Sequence, residues 1–336
     1  MEERQELVFY DRYEDALKSE AIYGEGPLRW AYETWLGRVC LEGVIKRPWF
    51  SALYGRWADC SCSKKEIAAF IERFELDTDE FADSVESLAT FNEFFSRKLK
   101  PEARPVSSGN NDISFPADGR HLLIPDLSQS GPIFAKGRTF DLKALLGDSD
   151  LAKKFARGTA LISRLCPTDY HRYHFPLDGV PGEPRLINGL LYSVNPVALE
   201  RRLAYLWENK RQVTEISDSP VGGYLFLEIG ATNVGSIVNT STPKQPVSRG
   251  TEKGTFRFGG SMVSQFFPRE NFSRMKTLQS NPLSESSSTP GWVTGQESLF
   301  VVRLVTVLIC RNGNHAFPAT GRALLFSVLA SAEEEG

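Results

Sequence analysis

Between about residues 113 and 260, short apolar runs alternate with turn residues, and this pattern restricts the possible folds more than any other feature of the sequence. The runs are rich in Val, Ile, Leu and Phe, and Gly, Pro and Asp separate them; examples are HLLIP, GPIFAKG, TALISRL, GGYLFLEIG, ATNVGSIVN and GTFRFGG. Several short strands bounded by turn residues are typical of an antiparallel barrel or sandwich. We therefore expect residues 111–270 to form a β-rich core of one of these two kinds.

The residues before this core have a helical pattern instead. Between 27 and 75, apolar side chains recur at roughly the spacing of one helix face, with Arg and Lys between them. Ser63 and Glu66 have the spacing of a capping box, which predicts a helix from there to Phe74. The segment 90–95 predicts another short helix. Together with the strands, these patterns predict an α+β protein whose N-terminal amphipathic helices occupy residues 1–110.

Aromatic and basic side chains alternate along the first helices, and this arrangement has two interpretations. Four of the six tryptophans lie in this part of the chain: Trp30, Trp35, Trp49 and Trp57. Such helices suit a membrane interface, because rings sit at headgroup depth and cations meet anionic lipids. The alternative is an amphipathic helix that packs on its own domain. The first interpretation predicts peripheral binding to an anionic membrane surface, and an acidic N-terminus without an apolar secretory segment favours the cytoplasmic face.

Charge and cysteine content argue against several classes of protein. The formal net charge of −3 argues against general nucleic-acid binding, which needs a basic surface to neutralise phosphates. Five cysteines without a CxxC pair argue against a disulfide framework and a structural zinc site. No stretch reaches about 18 uninterrupted apolar residues, so we expect no transmembrane helix. We also expect no metal at His171 and His174, since no Cys or Glu lies at a spacing that fits a zinc site.

Three short segments carry residues that could do chemistry, although each segment has an ordinary structural explanation. Two histidines, His171 and His174, are three residues apart and could face one site from a helical turn. Asp118 precedes a glycine in a PADG turn, and Ser261 follows two glycines. Taken singly, these segments would be a turn with hydrogen-bonded histidines, a hairpin turn and a flexible loop.

The glycine before Ser261 permits a specific reaction. Because Gly260 has no side chain, the Ser261 hydroxyl can reach the preceding carbonyl, and the backbone can take strained conformations. Attack on that carbonyl gives an N→O acyl shift to an ester. A base can then remove the α-proton of Ser261, and elimination leaves a dehydroalanine that hydrolyses to an N-terminal pyruvoyl group.

Several motifs in order across about 240 residues give a more specific signal than any one of them. They are the segments 91–105 (FNEFFSRKLKPEARP), 116–119 (PADG), 169–176 (DYHRYHFP), 191–196 (LYSVNP), 209–211 (NKR), 230–237 (GATNVGSI) and 253–261 (KGTFRFGGS). In residue identity, order and spacing they resemble the phosphatidylserine decarboxylase family, whose members are self-cleaving, pyruvoyl-dependent proenzymes.

The resemblance implies a role for each of the four candidate residues. Asp118, His174 and Ser261 match the family's self-cleavage triad, in which the histidine acts as the base and the aspartate orients it. His171 matches the histidine implicated in the decarboxylation step. Cleavage is then expected between Gly260 and Ser261, and the two fragments are expected to stay associated. The pyruvoyl group made from Ser261 is the expected cofactor.

The resemblance also implies a reaction, the conversion of phosphatidylserine to phosphatidylethanolamine and CO₂ at a membrane. A homodimer is compatible with it. One alternative is a related pyruvoyl-dependent decarboxylase of a soluble amino acid, which would not need the aromatic and basic N-terminal helices. Another is an inactive lipid-binding remnant.

Two departures from the family's pattern bear on activity. Met262 stands where the family usually has a small hydroxyl residue, and we expect it to affect the rate of cleavage more than cleavage itself. Residues 271–336 lack the family's ending and begin with a Ser/Pro/Gly-rich stretch. We hypothesise that a frameshift or a wrong gene model replaced the native C-terminus from about residue 270. The rival hypothesis is a genuine divergent tail, whose apolar runs at 299–310 and 322–330 complete the core as strands.

Overall fold

The computed structural model of the chain describes residues 8–11, 16–20, 22–106, 112–124, 126–129, 140–232, 236–259, 261–269 and 307–309. Its α-helices are α1 (Glu25–Glu33), α2 (Trp35–Cys40), α3 (Pro48–Ala58), α4 (Lys65–Phe74), α5 (Phe91–Phe95), α6 (Leu142–Leu146), α7 (Ser149–Phe155), α8 (Pro196–Arg201) and α9 (Tyr205–Glu208). A π-helical turn spans Leu41–Ile45, and 3₁₀ turns span Ser61–Lys64, Thr78–Glu80, Val85–Ser87, Pro101–Ala103 and Leu127–Gln129. Its strands are β1 (Val8–Asp11), β2 (Ala16–Ser19), β3 (Arg120–Ile124), β4 (Thr159–Leu165), β5 (Arg172–His174), β6 (Val180–Pro181), β7 (Arg185–Ile187), β8 (Arg211–Ser217), β9 (Tyr224–Ile229), β10 (Ile237–Asn239), β11 (Glu252–Phe256), β12 (Ser261–Phe267) and β13 (Val307–Ile309).

Two sheets form the centre of the molecule. The larger sheet has ten strands in the order β2-β1-β13-β3-β4-β12-β9-β8-β6, and β7 also pairs with β8. The smaller sheet has the order β10-β11-β5. Strands β1 and β13 pair in parallel, whereas the other pairs of described strands are antiparallel. The described strands leave both sheets open, so the fold is sandwich-like and not a closed barrel.

A buried apolar layer lies between the two sheets. Tyr173 of β5 and Phe256 of β11 pack with Phe226 of β9 and Val263 of β12 in one cluster. The rings of Tyr173 and Phe226 are 5.9 Å apart. These contacts join the smaller sheet to the middle of the larger one, because β12 and β9 are adjacent there.

The opposite face of the larger sheet is covered by helices. Met262 and Phe266 of β12 belong to a second core cluster, which includes side chains from α1, α6, α7, α8 and α9. Because successive side chains of a strand point to opposite faces, β12 contributes alternately to both cores. Every residue of this strand is buried.

The N-terminal helices α3, α4 and α5 form a third, aromatic cluster beside the sheets. Helix α5 begins where its sequence predicts, because the Thr90 hydroxyl accepts from the Glu93 N–H at 3.2 Å and the Glu93 carboxylate accepts from the Ala89 N–H at 2.6 Å. One member of the cluster, Phe258, comes from the segment just before β12. The helical layer therefore reaches the residues that precede Ser261.

Several sequence predictions can be compared with this structure. The α+β class, the helices within 27–75 and the short helix at 91–95 are confirmed. The capping box at Ser63 is wrong: its hydroxyl donates to the Ala58 and Cys60 carbonyls and accepts from the Phe91 N–H, so it joins α3 to α5. No helix in the described ranges is long and apolar enough to cross a bilayer.

Other predictions fall wholly or partly outside the described residues. The run GPIFAKG at 131–137 and part of the run at 231–239 lie there, as does Gly260. So does the tail from 270, apart from 307–309, which form β13 between β1 and β3. The proposed domain limits and the origin of the tail therefore stay predictions.

Candidate active site

Ser261 is the first residue of β12, and its side chain is fully buried. It pairs with Leu165 at the end of β4. Its side chain shares a face with Val263, because side chains alternate along a strand, and that face is the interior of the sandwich. The Ser261 hydroxyl has no hydrogen-bond partner among the described residues. Since most buried polar groups are paired, an unpaired hydroxyl here calls for a functional explanation.

The turn before β3 brings Asp118 to the same end of the sheet. Strands β3 and β12 are the two neighbours of β4. Gly119 has a φ of 144° and packs so closely on β4 that a Cβ would lie 2.2 Å from the Arg164 carbonyl oxygen. Only glycine fits this position without strain. Asp118 thus lies at the end of β4 across from Ser261.

Arg104 holds the Asp118 carboxylate. Its Nε donates to Oδ1 at 3.0 Å and to Oδ2 at 2.8 Å, and its Nη2 lies 2.6 Å from Oδ2. The same guanidinium contacts a Glu80 oxygen at 3.2 Å. These side chains are mostly buried, so the carboxylate is a fixed negative charge in this region of the protein.

The loop after β4 fixes the orientation of the His171 ring. The Asp169 carboxylate accepts from the Cys166 N–H at 2.7 Å and lies 3.5 Å from Arg120. The Asp169 carbonyl lies 2.8 Å from His171 Nδ1. Because a carbonyl only accepts, Nδ1 carries the proton and Nε2 is the basic nitrogen. The ring also packs on Phe95, with centroids 3.8 Å apart.

His171 lies beside the segment that precedes Ser261. Its Nε2 forms no hydrogen bond with the described residues. The Gly259 backbone is nevertheless close enough to raise the pKa of the imidazole against the larger effect of burial. The His171 carbonyl accepts from the Phe256 N–H at 3.0 Å, so the residue lies beside the end of β11, five residues before Ser261.

His174 is linked to the turn that carries Asp118. Its backbone N–H donates to the Pro116 carbonyl at 2.7 Å, and its ring stacks on Tyr170 with centroids 6.0 Å apart. It lies on β5 opposite Glu252 of β11. The two histidines thus belong to one short segment but contact different parts of the site.

Both histidines are neutral at pH 7. Burial lowers the pKa of His171 to about 3, with the Asp169 carbonyl acting in the opposite direction. Burial also lowers the pKa of His174 to about 4, against the raising effect of the Glu252 and Asp118 charges. Since a neutral imidazole has one unprotonated nitrogen, each has the chemistry of a base.

The structure brings the four predicted residues to one region but does not connect all of them by hydrogen bonds. The Asp118 charge acts on the pKa of both histidines. The described partner of its carboxylate is Arg104. The Ser261 hydroxyl is hydrogen-bonded to neither histidine in the described structure. The arrangement therefore comprises a buried hydroxyl, two neutral imidazoles and a carboxylate paired with an arginine.

Sequence reasoning missed several residues of this region. His121 is buried, its Nδ1 is 2.8 Å from the Ser163 hydroxyl, and burial lowers its pKa to about 3. It lies in the run HLLIP, where the apolar pattern predicts only a strand residue. Arg104 and Phe95 lie in the motif 91–105, which carried the resemblance but suggested no role for either side chain.

Comparisons with known proteins identify the family of the chain. The family model for phosphatidylserine decarboxylase matches residues 91–284, which is more than half of the chain. The phosphatidylserine decarboxylase proenzyme of Chlamydia pneumoniae is 40% identical over 263 residues, covering 78% of this chain and 87% of the relative. The proenzyme of Desulfitobacterium hafniense is 41% identical over 261 residues (78% and 88%), and that of Clostridium perfringens is 40% identical over 264 residues (79% and 90%). These matches confirm the resemblance found in the motifs: the chain belongs to the phosphatidylserine decarboxylase family.

Proposed function

We propose that this chain is the proenzyme of a phosphatidylserine decarboxylase, which forms phosphatidylethanolamine and CO₂ through a pyruvoyl group made from Ser261. The observation that carries the proposal is the Ser261 hydroxyl, which is buried and unpartnered among the described residues at the first position of β12. Two histidines that are neutral at pH 7 lie in the same region. Family membership supports the same reaction, because the relatives are named as proenzymes.

In the proposed self-cleavage, His174 takes the hydroxyl proton of Ser261, and the oxygen attacks the Gly260 carbonyl carbon. The peptide C–N bond breaks and an ester forms. Loss of the Ser261 α-proton then expels the ester oxygen, which leaves a carboxylate on Gly260. Hydrolysis of the resulting dehydroalanine releases ammonia and leaves the pyruvoyl group. The Asp118 charge favours the protonated form of His174 during the first step.

The site around Ser261 fits this group. A pyruvoyl is small and uncharged, and the buried hydroxyl, which has no partner among the described residues, marks a position that an uncharged group can occupy at low cost. Strand β12 would hold it, because β12 pairs with β4 along seven residues and with β9 along five. These ladders would keep the smaller fragment in place after cleavage. When present, the pyruvoyl group supplies the electron sink for decarboxylation.

His171 is proposed to deliver a proton during decarboxylation. Replacing a carboxylate by hydrogen consumes one proton, and Nε2, which is unprotonated in the resting protein, would accept that proton before passing it to the substrate. The hydrogen bond from Nδ1 to the Asp169 carbonyl keeps the ring oriented for this transfer. The hydrogen bond from the Phe256 N–H to the His171 carbonyl, at 3.0 Å, supports a position of this residue beside the chain that leads to Ser261. His171 would therefore act in turnover and His174 in self-cleavage.

We further propose that helices α1 to α3 bind an anionic membrane surface. Trp35, Trp49 and Leu53 are 72%, 56% and 61% exposed, which is unusual for large apolar side chains. Arg38 and Arg47 are exposed on the same helices and their connections. Rings at headgroup depth and cations on anionic lipid suit such a surface, and the cytoplasmic leaflet carries this charge. Peripheral binding to a membrane would bring the protein to the bilayer that contains its proposed lipid substrate.

The function can be tested with phosphatidylserine vesicles labelled at the serine carboxyl carbon. We expect the wild-type protein to release labelled CO₂ and the Ser261→Ala variant to release none. Release from free serine but not from vesicles would favour the soluble-substrate alternative, and release from neither would favour the inactive remnant. Flotation with vesicles, compared between wild type and a Trp35→Ala, Trp49→Ala, Leu53→Ala variant, tests the membrane surface separately.

A further inference from the structure

Asn92 in helix α5 links the helical layer to the segment that precedes Ser261. Its side chain is buried, and its Oδ1 accepts from the Phe258 N–H at 2.8 Å. Its Nδ2 donates to Asp59 Oδ1 at 2.8 Å. Both the oxygen and the nitrogen of the amide are therefore hydrogen-bonded, and these two partners determine the orientation of the side chain.

Asp59 contacts the same segment directly. Its second oxygen lies 3.1 Å from Arg257 Nη1, although both side chains are about half exposed. An ion pair so open to water holds the segment weakly by itself. The buried hydrogen bond from Phe258 to Asn92 is the firmer attachment, and Asp59 keeps the amide turned toward it.

The Phe258 ring is fixed by aromatic side chains from two helices. Its centroid is 5.3 Å from that of Tyr54 in α3, 5.0 Å from Phe91 and 4.9 Å from Phe95 in α5. Phe95 also packs on His171 at 3.8 Å. One short helix therefore positions both the residues just before the cleavage site and one of its histidines.

We infer that Asn92 is a positioning residue for self-cleavage: by holding the Phe258 N–H it fixes the chain three residues before Ser261. This inference rests on the proposed function. Two consecutive glycines follow Phe258, and such a segment has many accessible conformations unless its start is held. Attack by the hydroxyl requires a near-attack geometry, and a small displacement can lower the rate by about a hundredfold. Strand pairing holds the chain from Ser261 onward, and the Asn92 amide holds it at Phe258, before the two glycines.

The test compares self-cleavage rates after synthesis in a cell-free system, read as the loss of full-length chain over time. We expect Asn92→Ala to cleave about tenfold to a hundredfold more slowly than wild type. The matched control is Ser63→Ala, which removes an equally buried hydrogen bond to a backbone N–H of α5, that of Phe91. We expect this control to lower the melting temperature to a similar extent but to cleave within about twofold of the wild-type rate.

Exchanging the side chains of Asn92 and Asp59 distinguishes a loss of positioning from a loss of folding. Asn92→Asp keeps an acceptor for the Phe258 N–H but places two carboxylates together, so cleavage should slow. Adding Asp59→Asn restores one donor and one acceptor between the two positions, and the rate should recover to within about threefold of wild type.

The outcomes distinguish the inference from the proposed function. If wild type itself never cleaves, the proposed function fails. If wild type cleaves and Asn92→Ala cleaves equally fast, the inference is overturned. It is equally overturned if Ser63→Ala slows cleavage as much as Asn92→Ala, or if the exchange restores the melting temperature without restoring the rate.

Discussion

At the level of single residues, His171 and His174 are held in ways that suit different tasks. His171 has a fixed ring, with Nδ1 on the Asp169 carbonyl and one face on Phe95. His174 is linked through its backbone to Pro116, two residues before Asp118, and burial lowers its pKa against the raising effect of the Glu252 charge and then of the Asp118 charge. The first arrangement favours repeated proton delivery at one position. The second favours a base whose charged form is stabilised once, during self-cleavage.

This difference predicts opposite results for two substitutions. We expect His174→Ala to lower the rate of self-cleavage by a factor on the order of 10² to 10⁴, since it removes a general base. We expect His171→Ala to self-cleave but to lose decarboxylase activity by a similar factor. Denaturing gels measure the first effect, and labelled CO₂ release measures the second. If His171→Ala stays uncleaved while His174→Ala is processed normally, the two assignments must be exchanged.

At the level of elements, a buried ion pair joins the two sheets. Lys253 of β11 and Glu228 of β9 are in contact and almost fully buried. The Lys253 ammonium also donates to Asn239 Oδ1 at 3.3 Å and lies 5.1 Å from the Phe226 ring centroid. Burial raises the pKa of Glu228, and the Lys253 charge opposes this. The pair is therefore costly to break, although apolar side chains could take its place.

The ion pair predicts a non-additive double substitution. Lys253→Met leaves a buried carboxylate alone and should lower the free energy of unfolding by about 3–5 kcal/mol. Adding Glu228→Leu should recover most of that loss, because no charge stays buried. Urea unfolding of both variants in a Ser261→Ala background would measure this without interference from cleavage. A loss below about 1 kcal/mol for Lys253→Met would show that the pair does not hold the sheets together.

At the level of the whole molecule, stability should depend on pH through its buried histidines. Burial lowers the pKa of His121 and His171 to about 3 and that of His174 to about 4, whereas the unfolded value is about 6.5. Below pH 6.5 the unfolded chain binds these protons and the folded chain does not. The histidines therefore leave the free energy of unfolding unchanged above about pH 6.5 and lower it as pH falls, until their folded pKa values of about 3 to 4 are reached.

The expected loss is large compared with the stability of an ordinary domain. Between pH 7 and pH 5 each histidine should lower the free energy of unfolding by about 2 kcal/mol, or about 6 kcal/mol for the three. Urea unfolding of the uncleaved Ser261→Ala variant at pH 7, 6 and 5 measures this. A free energy that stays constant over this range would mean that the histidines are protonated in the folded protein or are not buried.

The sequence predicts local features of this fold better than distant ones. Thr90 and Glu93 signal the start of α5, and the apolar run TALISRL signals β4, because both depend on neighbours in the chain. The contact between Asn92 and Phe258 joins residues 166 positions apart, so no local pattern reveals it. Ser63 has the spacing of a cap but finds partners in α3 and α5 instead. An open sandwich and a barrel share the same strand pattern and differ only in which strands pair.

The same limit applies to the candidate site. The motif residues Asp118, His171, His174 and Ser261 are visible because their neighbours form recognisable segments. Arg104 is not, since its action depends on the fold bringing it to Asp118. His121 is hidden in an apolar run, and only its pairing with Ser163 and its burial show it.

The central claim is that Ser261 becomes a pyruvoyl group, and intact-mass measurement of the purified protein tests it most directly. We predict two polypeptides that divide between Gly260 and Ser261. The smaller should begin with a blocked residue whose mass corresponds to pyruvoyl in place of serine, and Ser261→Ala should give one uncleaved chain. A wild-type protein of a single full-length mass, or a small fragment that begins with an unmodified serine bearing a free amine, would contradict the account.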